Sequence, residues 1–259
     1  MPEELSALLP GTATLSAFLL VLTRTTAWVV TAPVISARGV ASPGRLAVGV
    51  ALALFLTPLV PVGTIPTDLP GFATLVLAQA GIGLLLGFLT GLLFSAFEVA
   101  GTLIDLAGGF SFSSLVDPLT GQPAAAFSRL FSLCFGAVLF ATEGYRVIIG
   151  GFVASFRVMP LDELPALSEA SAGVVGHAAT TVVGAALMVA APLLGVLFLT
   201  DVALALAARF VPQANTLSVA LPVKTLIALT AGGATLALLP GHAAALIEPA
   251  LRLPSEVLV

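Results

Sequence analysis

Gly71-Phe-Ala-Thr-Leu-Val-Leu-Ala-Gln-Ala80, Gly81-Ile-Gly-Leu-Leu-Leu-Gly-Phe-Leu-Thr90 and Gly91-Leu-Leu-Phe-Ser-Ala-Phe97 follow one another without a single charged side chain. About 20 mostly apolar residues suffice for a helix that crosses a bilayer, and this run is longer. Five further segments have the same character: Thr14 to Pro33, Arg45 to Val62, Phe127 to Gly151, Gly173 to Thr200 and Leu221 to Leu239. The apolar stretch from Gly173 continues to Phe210 and holds Pro192, so a kinked pair there would raise six segments to seven. The expected fold is all-α, a polytopic membrane protein of helical hairpins.

Composition requires the same. Of 259 residues, 59% are hydrophobic and 8% are charged, where a soluble domain has roughly a quarter charged. A mean hydropathy of +1.16 leaves no material for a charged shell, so lipid must take the place of water. The net charge of -4 comes from scattered acids, which excludes a nucleic-acid footprint. Cys134 is the only cysteine, so no internal disulfide can form. No composition break divides the chain, and a single domain over residues 1–259 is expected. Met1 to Gly11 lacks the basic start of a cleavable signal, so the first apolar segment should be retained. Arg38, Arg45, Arg129, Arg209 and Lys224 fall on one nominal side of the spans and most acids on the other, which puts the amino terminus outside.

Several places invite chemistry. Gly83, Gly87 and Gly91 recur every fourth residue, a face that lets another helix approach, whether from this chain or from a neighbouring subunit. Glu98, Thr102 and Asp105 share a helical face two turns long; it either reaches headgroups or lines a polar path or partner. Gly108 and Gly109 break that helix, and Asp117-Pro118 carries turn chemistry. Between them lie Phe110, Phe112, Leu115 and Val116. Irregular apolar backbone beside a membrane must be buried in protein or line a cavity, so Gly108 to Pro123 reads as a re-entrant loop or plug. Arg24 has no local acid and should seek a carbonyl or carboxylate on another helix or chain. Glu143 and Arg146, one turn apart, can neutralise each other. Nothing assembles a nucleotide loop, a zinc site or a nucleophile with its base; His177 and His242 have no ligand-spaced companions. No enzyme, metal or cofactor is expected.

Taken together, the residues resemble the FliR family of flagellar type III export-gate subunits and its injectisome counterparts of the SctT type, over nearly the whole length. The resemblance rests on Arg24, Thr31-Ala-Pro33, Arg38, Pro43 and Arg45 in the first hairpin, then on Ala100-Gly101 with Ile104, Gly109 and Asp117-Pro118, followed by Arg129. Near the end it rests on Arg209-Phe-Val-Pro-Gln213 with Asn215 and on Leu221-Pro222-x-Lys224. Two departures stand out: Ala107-Gly108-Gly109 replaces a common Gln-Met-Gly, and Glu143-Gly-Tyr145 stands where Asn/Asp-Gly-His is common.

The resemblance implies one copy in a helical gate with FliP and FliQ, contact with FlhB, and work alongside FlhA on unfolded flagellar substrates. It implies a multi-pass place in the bacterial inner membrane at the flagellar basal body. It also implies helical hairpins that do not each cross the bilayer, and a central plug falling on Gly108 to Pro123. From the residues alone a small-solute transporter using Glu98, Asp105 and Arg24 is the rival from another class. An injectisome subunit is the rival within the family.

Overall fold

Uninterrupted apolar runs can satisfy their backbone in lipid only as helices, and helices are what they form. The computed structural model describes residues 12–33, 41–61, 63–66, 68–110, 126–164, 169–210, 216–236 and 241. Seven α-helices lie among them: α1 (Thr12–Thr31), α2 (Ser42–Leu56), α3 (Leu69–Ala107), α4 (Ala126–Ala141), α5 (Gly144–Val158), α6 (Glu169–Phe210) and α7 (Thr216–Leu236). The described residues contain no strand.

The apolar segments are not all single spans. At 15 residues, α2 rises about 22 Å, short of the roughly 30 Å hydrocarbon core. It gives way to the 3-10 turn Thr57–Leu59, where Pro58 has no N–H to continue the ladder. The segment expected from Phe127 to Gly151 is broken in two at Thr142 and Glu143. There the Glu143 N–H bonds back to the Phe140 carbonyl at 3.2 Å, and Glu143 takes a left-handed φ of 57°.

The other long segments exceed expectation. With 39 residues α3 is about 58 Å long, and with 42 residues α6 is about 63 Å, each near twice the hydrocarbon thickness. Pro192 sits inside α6 without ending it, so the kinked pair is one helix. Among the described residues, three helices are long and apolar enough to cross a membrane, or four spans if the bent α4 and α5 pair counts as one. Among the described residues, the six apolar segments are therefore not matched by six helices of spanning length and composition. Large side chains such as Leu77, Phe88, Leu106, Met188 and Phe198 stay exposed along the long helices, as expected of surfaces that face lipid or protein.

The chain divides into two compact units. The first takes the described residues of Met1–Gly91 and Tyr145–Ala178, the second those of Leu92–Gly144 and Ala179–Glu248. In the first, Leu20, Trp28, Val29, Leu56, Ile82, Leu86, Phe152 and Phe156 form the core. Trp28 stacks on Phe152 with ring centroids 4.4 Å apart. In the second, Phe97 stacks on Phe135 at 4.0 Å while Phe94 meets the same ring edge-on at 4.8 Å. Lipid tails are as apolar as these side chains, so close van der Waals fit, more than removal from water, holds such helices together.

Candidate functional site

The most built part of the second unit is the end of α3. Gly109 adopts φ 82°, a conformation glycine reaches without steric cost. The Phe110 N–H donates to the Asp105 carbonyl at 3.0 Å and the Gly109 N–H to the Leu106 carbonyl at 3.3 Å. Those two bonds make a Schellman end, which closes a helix by satisfying its last carbonyls. The Phe110 ring folds back so far that a Cβ on Gly108 would stand 2.9 Å from it. It also meets Phe127 of α4 edge-on, with centroids 5.3 Å apart.

Asp105, one turn before that end, is 2% exposed. Its carboxylate accepts the Phe127 N–H on Oδ1 and the Ser128 N–H on Oδ2, both at 3.0 Å. Those are free donors of the first turn of α4, and a carboxylate there is favoured by the helix dipole. The helices come this close because Gly101 has no side chain: a Cβ on it would lie 2.5 Å from the Ser128 nitrogen. Ser128 adds its own hydroxyl, donating to the Glu98 carbonyl at 3.1 Å.

Glu98 and Thr102 share the sequence face of Asp105 but not its place. Both are exposed, and the Thr102 hydroxyl turns back to the Glu98 carbonyl. The face divides into an outer pair and one buried carboxylate engaged by backbone.

In the first unit Arg24 is the mirror case. It is fully buried, and its Nε donates to Gln79 Oε1 at 2.5 Å. Nη1 reaches the Ser155 carbonyl at 3.2 Å and Nη2 the Met159 carbonyl at 3.0 Å. Its guanidinium lies 4.3 Å over the Phe156 ring, a cation–π contact. The carbonyls belong to the end of α5, where a cation is favoured. Gln79 completes the knot by donating to the Leu161 carbonyl at 3.2 Å. Arg24 thus finds the carbonyls its sequence position called for. Gln79 was not singled out beforehand, although an amide inside the apolar 71–97 run was a signal.

The glycine face of α3 meets α1. A Cβ on Gly83 would lie 2.5 Å from the Arg24 carbonyl oxygen and 2.8 Å from the Ala27 Cβ, and one on Gly87 would overlap the Thr31 hydroxyl. Gly91 is looser, 3.7 Å from Pro33. Lys224 Nζ pairs with Asp201 Oδ1 at 2.6 Å between α7 and α6, a link that neither residue's local sequence suggested. Arg129, Glu143, Arg146 and Arg209 are exposed on the chain. Phe112, Leu115, Val116, Asp117 and Pro118 lie outside the described residues.

With these contacts in view, residues 15–250 match the model of the bacterial export proteins, family 1. The chain belongs to this family. It is 27% identical to the flagellar biosynthetic protein FliR of Pectobacterium carotovorum subsp. carotovorum over 91% of its own length and 90% of that protein's. Against FliR of Bacillus subtilis (strain 168) the figures are 28%, 80% and 81%. The surface presentation of antigens protein SpaR of Shigella sonnei is 34% identical over 57% of each chain. As a member, the chain is a membrane subunit of a type III protein export gate. Family members serve as structural parts of an export apparatus. Of the three residues of the small-solute reading, Arg24 is engaged by Gln79 and the end of α5 and Asp105 by the start of α4, while Glu98 is exposed.

Proposed function

We propose that this export-gate subunit is of the flagellar form and helps build and close a conduit for unfolded flagellar substrates, as one domain formed by both units. One copy joins FliP and FliQ, contacts FlhB and works with FlhA in the inner membrane at the flagellar basal body. The preponderance of FliR among full-length relatives favours the flagellar form over an injectisome.

Gly108 to Pro123 is the plug, with Phe110 and Phe112 as apolar bulk that dewets the closed pore. The observation that carries this reading is the tie at its base: the chain leaves α3 at a glycine-made end and re-enters at α4, with Asp105 and Phe110 both fastened to Phe127. A segment so apolar, held to helices where it starts and where it returns, suits a stopper that moves without dismantling its scaffold. The gate is passive in this reading, its sequence carrying no Walker-type phosphate loop.

Deleting Gly109 to Ser114 should raise ion leakage through assembled gates in planar bilayers. Conductance unchanged from wild type would refute the plug.

A further inference from the structure

Val196, Thr200, Ala203 and Ala207 recur every three or four residues and so share one face of α6. Three of the four are short, which hollows that face into a trough. Val223 and Ile227 of α7 form the opposite wall, and the groove between the two helices has a volume of about 550 Å³. Beside it Lys224 Nζ reaches across from α7 to Asp201 Oδ1 at 2.6 Å. The hairpin is thus tied by a long side chain at a place where short ones leave it room.

The chemistry of the lining selects the kind of occupant. Thr200 carries its one side-chain hydroxyl, and that group donates to the Val196 carbonyl at 2.8 Å. Lys224 and Asp201 neutralise each other, as charges at membrane depth must. Water or a polar ligand would find no partner here, and an irregular peptide segment would leave its N–H and C=O groups unpaired. Saturated hydrocarbon gives up nothing by entering.

Shape narrows the choice further. From Val196 to Ala207 the helix rises about 16 Å, close to the roughly 15 Å half-thickness of a hydrocarbon core. Spread over that length, the volume corresponds to a cross-section of about 33 Å², well under the roughly 80 Å² of a helix 10 Å across. The slot admits an extended chain and not a helix. It lies within Ala179–Phe210, a stretch long and apolar enough to cross a membrane. Arg209, exposed in the last turn of α6, marks the end at which a long basic side chain reaches headgroups.

We propose that the groove between α6 and α7 is a lipid site, in which one acyl chain of a membrane phospholipid lies from the level of Arg209 down to Val196. This face of the hairpin therefore meets the bilayer and not a sister polypeptide. Lipid tails are as apolar as the side chains, so the preference comes from contact: a tail in the groove touches walls on two helices, a tail on the outer face only one. The slot has no group to bind a headgroup, so phosphatidylethanolamine and phosphatidylglycerol should serve equally. The site stands independently of the plug.

The test uses gate complexes in nanodiscs made with either phospholipid carrying a diazirine in one acyl chain. After irradiation, adducts are mapped by peptide mass spectrometry. Labelling of the groove residues should exceed that of Phe198, Val202 and Ala205, exposed on the opposite face of α6, by about tenfold, the ratio that roughly ten added carbon contacts give. Ala203→Phe puts a ring into the slot and should cut groove labelling by about tenfold while the outer face keeps its own. Ala205→Phe, the same bulk outside the groove, should leave groove labelling at the wild-type level.

Groove labelling no higher than that of the outer face would overturn the proposal, as it would if a sister subunit covered the groove. Labelling that survives Ala203→Phe, or that needs one headgroup, would overturn it too. If Ala203→Phe does not assemble, Ala207→Leu decides by the same comparison: a loss confined to the groove supports the site, and unchanged labelling removes it.

Discussion

Arg24 would be costly in an apolar setting if its charge and donors met nothing. Its three nitrogens instead reach Gln79, Ser155 and Met159, so the side chain pins the end of α5 to α1. Arg24→Met would strip those acceptors of their donor and is expected to destabilise the protein by about 3 kcal/mol, read as a lowered Tm in detergent. Arg24→Lys should recover only part, because an ammonium is a point donor and cannot span three acceptors as a planar fork does. A milder effect of opposite sign is expected at Glu143. Its φ of 57° is left-handed, a region that asparagine tolerates better than most residues with a Cβ. Glu143→Asn should raise stability by up to about 1 kcal/mol, measured by denaturant unfolding in mixed micelles.

At the scale of elements, α3 shows how one helix face is divided among neighbours. Its glycines admit α1 at Gly83 and Gly87 and α4 at Gly101, while Gly81 has nothing within 4 Å of the place a Cβ would take. Gly83→Ala must push against the Arg24 carbonyl, which is backbone and cannot turn aside. The expected cost is roughly 1–3 kcal/mol. Gly81→Ala should be neutral or gain up to about 1 kcal/mol from helix propensity. Comparing the two by thermal unfolding tests whether the face is a packing surface within the chain; equal effects would contradict it. Spacing by four made this face legible in the sequence. The sequence did not say which helix would fill it, because periodicity defines a direction around an axis and leaves the neighbour open. The same limit applies to Glu98 and Asp105: seven residues apart they share a face, yet one is exposed and the other is buried under the start of α4.

At the scale of the molecule, the apolar segments outnumber the helices of spanning length and composition, which are three among the described residues, or four if the bent pair is one. Hydropathy records whether a residue tolerates lipid, and a segment tolerates lipid equally well when it is half a span, a bent pair or a helix twice the bilayer thickness. Thus α2 stops at 15 residues, the expected fourth span turns at Glu143, and α3 and α6 run far past one hydrocarbon core. Helices of that length exceed what a single crossing of the hydrocarbon core requires.

By itself the sequence determined that the chain is helical and membranous, since 8% charge and unbroken apolar runs allow no other way to satisfy the backbone. It also determined that α3 stops at the paired glycines, and which family the chain joins. Only the tertiary structure decided what the buried charges do. Arg24 finds its carbonyls 131 and 135 residues away, and Asp105 caps a helix whose own preceding residues are alanines. Partners so distant along the chain are selected by how helices pack, which depends on fit between surfaces that no local pattern of residues encodes.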